Sequence, residues 1–195
     1  MIRGAAQEER LDEIFERAEE ISFMEDSVFP GITRETGALL LAGESGSGKS
    51  ALLKAAAAQA SRHDFRVLRC AGSRAERNLE YGALHQLLKP ILDLLPAVPA
   101  SLRSALCGAF GVRRAGQQSA TAETDAGHDR FLVGLACLNL LLAAARRRPV
   151  MVVVDDLQEL DACSRDALLF VARRIADEPM GVLAAAPGDS RAAAR

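Results

Sequence analysis

Three things are missing from this sequence: a net charge of either sign, clustered cysteines, and an apolar run of bilayer length. The 24 lysines and arginines nearly cancel the 26 aspartates and glutamates, leaving a formal charge of −2. That excludes a global attraction to nucleic acid or to an anionic membrane. Cys70, Cys107, Cys137 and Cys163 lie roughly thirty residues apart, with no C-x-x-C pair and no Cys/His cluster. Reduced, buried thiols of a cytosolic protein are therefore expected. The chain opens Met1-Ile2-Arg3-Gly4 and soon turns acidic, with no apolar signal core. The longest apolar run, Phe131 to Ala145, is interrupted by Gly134 and Asn139, and it falls short of the ~20 residues of a bilayer span. A cytoplasmic location with no membrane partner is the expectation. Lysine is scarce too: Lys49, Lys54 and Lys89 stand beside 21 arginines and 36 alanines. That bias reads as base composition of the coding DNA, and it makes each lysine worth locating.

What is present fits one globular domain. The 195 residues are 49% apolar and 26% charged, enough for one α/β domain and short for two. Residues 8–21 carry Leu11, Ile14, Phe15, Ala18 and Ile21 at amphipathic-helix spacing, and 22–37, holding Pro30, Gly31 and Gly37, read as a connector. A short unbroken apolar run at Ala38–Ala42 suits a strand buried on both faces, as parallel strands are, and Arg66–Cys70, Pro149–Val154 and Gly181–Ala186 are further strand candidates. Helical patterns separate them: the Ala-rich 50–61; Leu84, Leu87, Leu88, Ile91, Leu92 and Leu95, with Pro90 as a kink or restart; Phe131 to Leu142; and Leu168, Ala172 and Ile175. Strands alternating with helices imply parallel crossovers and a three-layer α/β/α domain. The expected organisation is an N-terminal helix and connector over 1–36, a core over 37–186 and a tail over 187–195. Within the core, the Gly-, Gln- and Ser-rich stretch 111–127 is expected to be a flexible loop.

The first strand candidate runs into Gly43-Glu44-Ser45-Gly46-Ser47-Gly48-Lys49-Ser50, followed by Ala51 and the Ala-rich helix. This is G-x-x-x-x-G-K-[ST], the P-loop. Its glycines let successive N–H groups turn inward as a nest for phosphate oxygens, and the next helix adds its N-terminal N–H groups and dipole. Lys49 is placed to bridge the terminal phosphates and the Ser50 hydroxyl to ligate Mg²⁺. Gly46, Gly48 and Ala51 also spell G-x-G-x-x-A, a dinucleotide fingerprint. That reading needs an acidic residue after the second strand, where Cys70-Ala71-Gly72 stands. The third strand candidate ends in Asp155-Asp156, the Walker B pattern of a hydrophobic strand delivering a carboxylate beside the P-loop. Asp155 would hold Mg²⁺, which prefers few carboxylates plus phosphate oxygens. Asp156 would orient or activate the attacking water, slowly, because aspartate is shorter than glutamate. Taken alone, Asp155-Asp156 is equally a solvated turn after a core strand.

Other residues have two readings each. Tyr81 and His85 lie one helical turn apart and either face a nucleotide base or cap a core. Arg146-Arg147-Arg148 suit an acidic partner or a helix end, where cations complement the dipole. Arg173 and Arg174 suit an arginine finger of a ring or dimer, or a solvated helix end.

The stretches around the P-loop, Leu79-to-Leu88, Asp129-to-Leu135, Val152-to-Gln158 and Ser164-to-Arg174 together resemble one family over most of 37–186. It is the ATP-binding N-terminal region of the large LuxR-type transcriptional regulators, a maltose-regulator-like group of STAND P-loop NTPases. The resemblance implies a Mg·ATP-dependent switch in which exchange of ADP for ATP permits self-association, while a separate C-terminal helix-turn-helix binds DNA. It carries Gly43, Gly48, Lys49, Ser50, Asp155 and Asp156 over as nucleotide, metal and catalytic positions. Departures are Ala5 in place of an N-terminal arginine, Glu159 where an aromatic is common, and Pro187 where a strand-end arginine would sense nucleotide. Relative to that family a C-terminal truncation is expected, so no DNA binding is assigned to these residues; the expected partners are nucleotide, regulatory protein domains and further copies of the chain. Two other readings stay open, a P-loop small-molecule kinase and a nucleotide-binding scaffold without hydrolysis.

Overall fold

The computed structural model describes residues 37–111, 126–175 and 178–188. The amphipathic helix and connector expected over 1–36, the centre of the 111–127 loop and the tail from 189 onward lie outside the described residues. Four strands, β1 (Gly37–Gly43), β2 (Arg66–Ala71), β3 (Val150–Asp155) and β4 (Met180–Pro187), form one sheet in the order β1-β4-β3-β2. Every neighbouring pair is parallel. The helices between them are α1 (Lys49–Arg62), α2 (Gly82–Leu88), α3 (Ala100–Ala109), α4 (Ala126–Ala145) and α5 (Ala162–Ala172). This is the α/β/α architecture with a parallel central sheet that the alternation implies.

The apolar runs become strands because parallel strands in such a sheet are covered on both faces. In β3 the alternation divides the core. Val150, Val152 and Val154 join Leu68, Cys70 and the leucines of α2–α5 on one face, whereas Met151 and Val153 meet Leu53, Ala56, Ala57 and Ala60 of α1 on the other. Three layers follow, with α1 the helix on its side among the described residues. At the opposite extreme is β1, an edge strand on which Leu39 is 38% exposed.

The leucine pattern of 84–95 does not form one α-helix. α2 ends at Leu88 and a 3-10 segment, Lys89–Ala97, replaces it. Pro90 and Pro96 each remove a backbone donor, which disfavours continuous i→i−4 bonding. The final helix stops at Ala172, so Ile175 packs into the core from the loop beyond. Helix α4 starts at Ala126, inside the stretch read as a loop, and reaches 20 residues. By length and composition it could cross a membrane; here Ala136, Cys137, Leu140, Leu141 and Ala144 are buried in the core. All four cysteines are free thiols, and Cys107 is the half-buried one. Burial pushes the Cys70 and Cys137 thiols up to about 12, well away from a reactive thiolate.

Candidate functional site

Parallel pairing sets the carboxyl ends of all four strands along one edge, where ligands of open α/β sheets bind. Gly43 is in register with Pro187, and Ala71 with Asp155. Because β4 lies between β1 and β3, the end of β4 separates the glycine loop from the acidic strand. A cavity of about 360 Å³ opens there, lined by Ser45, Gly46, Gly48, Lys49, Ser50, Asp155, Asp156, Gln158 and Pro187.

The loop takes the shape its glycines permit. Gly46 and Gly48 have φ of 85° and 88°, left-handed values that cost a residue with a Cβ about 1–2 kcal/mol. Gly48 caps α1, so the free N–H groups of the first turn open toward the cavity. The Lys49 ammonium folds back on its own loop, donating to the Gly43 carbonyl at 2.9 Å and the Glu44 carbonyl at 2.6 Å, with Ser47 Oγ at 3.4 Å. It thus holds the loop closed around a cation that a phosphate can recruit. Gly43, Glu44 and Ser47 shape the loop from behind rather than line the cavity. Ala51 also stands outside the lining, and its N–H is spent on the Gly48 carbonyl at 2.9 Å.

The acidic side is equally well tied. The Asp156 N–H donates to Asp155 Oδ1 at 3.0 Å. Asp156 has φ 48°, an unusual conformation for a residue with a Cβ, and one that clusters at functional sites. Gln158 Nε2 donates to Asp156 Oδ1 at 3.2 Å, while Gln158 Oε1 is buried without a partner. Behind this loop, the Gly72 N–H donates to the Asp155 carbonyl at 2.9 Å. A Cβ on Gly72 would overlap the Asp156 carbonyl and sit 2.7 Å from the Glu159 backbone. Glu159 pairs with Arg77 at 2.9 Å and Arg74 at 3.4 Å, and Arg77 also donates to the Gln158 carbonyl at 2.9 Å. Glu159 therefore ties the acidic loop to the segment that follows β2.

The donor set suits Mg²⁺. A hydroxyl, Ser50, and a carboxylate, Asp155, line one cavity beside a phosphate cradle, which matches a hard cation that keeps phosphate oxygens and waters as its other ligands. Among the described residues no group of three or more His, Cys, Asp or Glu is gathered as a metal cage.

Gln158 joins the cavity without having been singled out as a site residue, and Pro187 lines it at the position where the resemblance leads one to expect a nucleotide-sensing arginine. Gln158 sits two positions after Asp156, and that spacing was its one signal outside the family resemblance; Pro187 sits at the strand end. Tyr81 and His85 are not among the cavity's lining residues. Tyr81 lines a second cavity, and His85 packs edge-on to Phe110 with ring centroids 4.9 Å apart. Arg174 lies 3.6 Å over the Phe170 ring and donates to the Phe170 carbonyl. Arg148 pairs with Asp64 at 2.9 Å, an internal contact at the end of α4.

A comparison with curated proteins finds no match to this sequence. The family comparison is decisive where that one is silent: the model of the AAA ATPase domain matches residues 13–183, which include every residue of the phosphate loop and of the acidic strand end. With the parallel sheet and the P-loop cavity already in place, this chain belongs to the AAA ATPase domain family, a nucleotide-binding P-loop ATPase module.

Proposed function

We propose that the chain is the Mg·ATP-binding switch module of a LuxR-type transcriptional regulator, with slow hydrolysis. The observation that carries the nucleotide reading is the single cavity shared by Lys49, Ser50, Asp155 and Asp156. In this reading the loop from Gly43 to Gly48 and the first turn of α1 cradle the phosphates, and Lys49 leaves the Gly43 and Glu44 carbonyls to bridge the terminal ones. Ser50 and Asp155 hold Mg²⁺, which when bound neutralises phosphate charge. Asp156 orients a water and takes its proton as the water oxygen bonds to the γ-phosphorus and the bond to the bridging oxygen breaks.

Two features support slow turnover. The Asp156 carboxylate is one methylene shorter than glutamate and is already engaged by Gln158. Pro187, at the strand end on the cavity lining, offers no cation or donor. The regulator assignment rests on the resemblance of residues 37–186, above all the Asp155-Asp156-Leu157-Gln158 segment.

The test is phosphate release from Mg·ATP with no other substrate, together with sedimentation in ADP and in a non-hydrolysable ATP analogue. Slow release and a larger species with the analogue support the switch. Turnover strictly dependent on an added acceptor identifies a kinase. Binding with neither turnover nor a change in assembly identifies a scaffold.

A further inference from the structure

A second cavity, of about 450 Å³, lies on the helical side of the sheet, away from the phosphate loop. Its apolar wall is the small-residue face of α3, Ala105, Gly108 and Ala109, with Val133 of α4 opposite. Tyr81 and Cys163 complete the lining beside them. Glu80, Asp129 and Arg130 supply the charge.

The cavity is built, not a gap left by loose packing. Tyr81 has φ 60°, which costs a residue with a Cβ about 1–2 kcal/mol. It is held there by the buried Asp161 carboxylate, which accepts the Tyr81 N–H at 2.9 Å. That conformation directs Tyr81 to cap α2 while its ring lines the cavity. On α3, no atom of the described residues lies within 4 Å of where a Gly108 Cβ would stand, so among them the space stays open up to the helix backbone.

The charge balance is anionic. Among the described residues the lining carries two exposed carboxylates without an ion pair, Glu80 and Asp129, against one cation, Arg130, which pairs with Asp166 at 3.6 Å. An aromatic face beside unmatched carboxylates attracts a cation, and small apolar side chains accommodate a compact hydrocarbon body.

We propose that this cavity is a binding site for a small amine with a compact apolar body, separate from the nucleotide site. It goes beyond the switch reading and does not depend on it. Tyr81 is the chain's one tyrosine and there is no tryptophan, so intrinsic fluorescence reports on this cavity alone.

The experiment titrates the whole chain with cyclohexylamine, protonated at neutral pH, reading Tyr81 fluorescence and, in parallel, heat. Cyclohexanol and cyclohexanecarboxylate are the neutral and anionic counterparts. The expected result is saturable amine binding, with both counterparts at least about tenfold weaker. Gly108→Leu, which fills open space on a helix, should abolish it, and Glu80→Gln with Asp129→Asn should weaken it about tenfold. Lys49→Ala should leave it unchanged, which separates this site from the nucleotide reading. The proposal is overturned if folded wild type shows no saturable response, if the alcohol or carboxylate binds as well as the amine, or if Gly108→Leu binds normally.

Discussion

Removing the Asp161 carboxylate should unfold the helical side of the domain far more readily than a single polar change usually does. Asp161 is 4% exposed, and its Oδ1 accepts the N–H of Ser164 at 2.8 Å and of Tyr81 at 2.9 Å, with Ala83 N–H near Oδ2 at 3.4 Å. Asp161→Ala deletes the cap of α5, worth about 1 kcal/mol. It also strands the Tyr81 N–H, and a hydrogen bond to a charged acceptor contributes about 1.5–3 kcal/mol. The left-handed Tyr81 backbone loses its tether as well. Allowing for non-additivity among contacts that share one carboxylate, the variant should lose about 3–4 kcal/mol, a large part of a typical domain's 5–15 kcal/mol, roughly speaking. Asp161→Asn keeps an acceptor for Ser164 and Tyr81 and gives up only the charge and the long Ala83 contact, so about 1–2 kcal/mol is expected. Urea unfolding followed by circular dichroism measures both, read as a shift in midpoint at constant slope. An Asp161→Ala loss within about 0.5 kcal/mol, the size of an ordinary surface change, would refute the claim that this carboxylate ties α2 to α5.

Further outcomes follow from the same contacts. Gly72→Ala puts a methyl into the Asp156 carbonyl and the Glu159 backbone, neither of which is a flexible side-chain tip. About 3 kcal/mol of destabilisation is expected, and an unchanged urea midpoint would contradict the close approach. Tyr81 should titrate late: burial first, then the neighbouring Cys163 thiol, push the phenol up to about 12. A folded value above the unfolded value of about 10 means this stabilisation is whole below pH ~10 and is lost as pH rises toward 12. Phenolate absorbance of the one tyrosine reads this directly, and a midpoint at the ordinary value in folded protein would contradict it. If the chain hydrolyses ATP, Asp156→Asn should cut phosphate release about a hundredfold while leaving Mg·ATP affinity nearly unchanged; equal losses in both would move Asp156 from catalysis to binding.

Much of this arrangement is legible in the residues, for identifiable reasons. β3 shows as an unbroken apolar run because both faces of an interior parallel strand are covered, and the P-loop after β1 shows because its geometry needs glycine at fixed spacing. The two motifs locate each other, since parallel pairing brings the carboxyl ends of β1 and β3 to the same edge. Helix α3 is short and bounded by Pro99, and it leaves little periodicity to read. The 3-10 segment after α2 depends on Pro90 and Pro96 acting together. The Tyr81–Asp161 bond joins residues 80 positions apart, and no local pattern signals it. Gly72 looked like the failed end of a dinucleotide motif; its role as the space for the acidic loop emerges only when β2 lies beside β3. The Gln158 contact to Asp156 is local, but glutamine at that spacing has no signature outside the family resemblance.

The central claim is that Lys49 and the loop around it hold a nucleotide phosphate. The most direct measurement is calorimetric titration of the whole chain with ATP and ADP in Mg²⁺, beside Lys49→Ala checked for folding by circular dichroism. The account predicts micromolar binding by the wild type and a loss of at least about a hundredfold in the variant. No binding by folded wild type, or undiminished binding by Lys49→Ala, would contradict it.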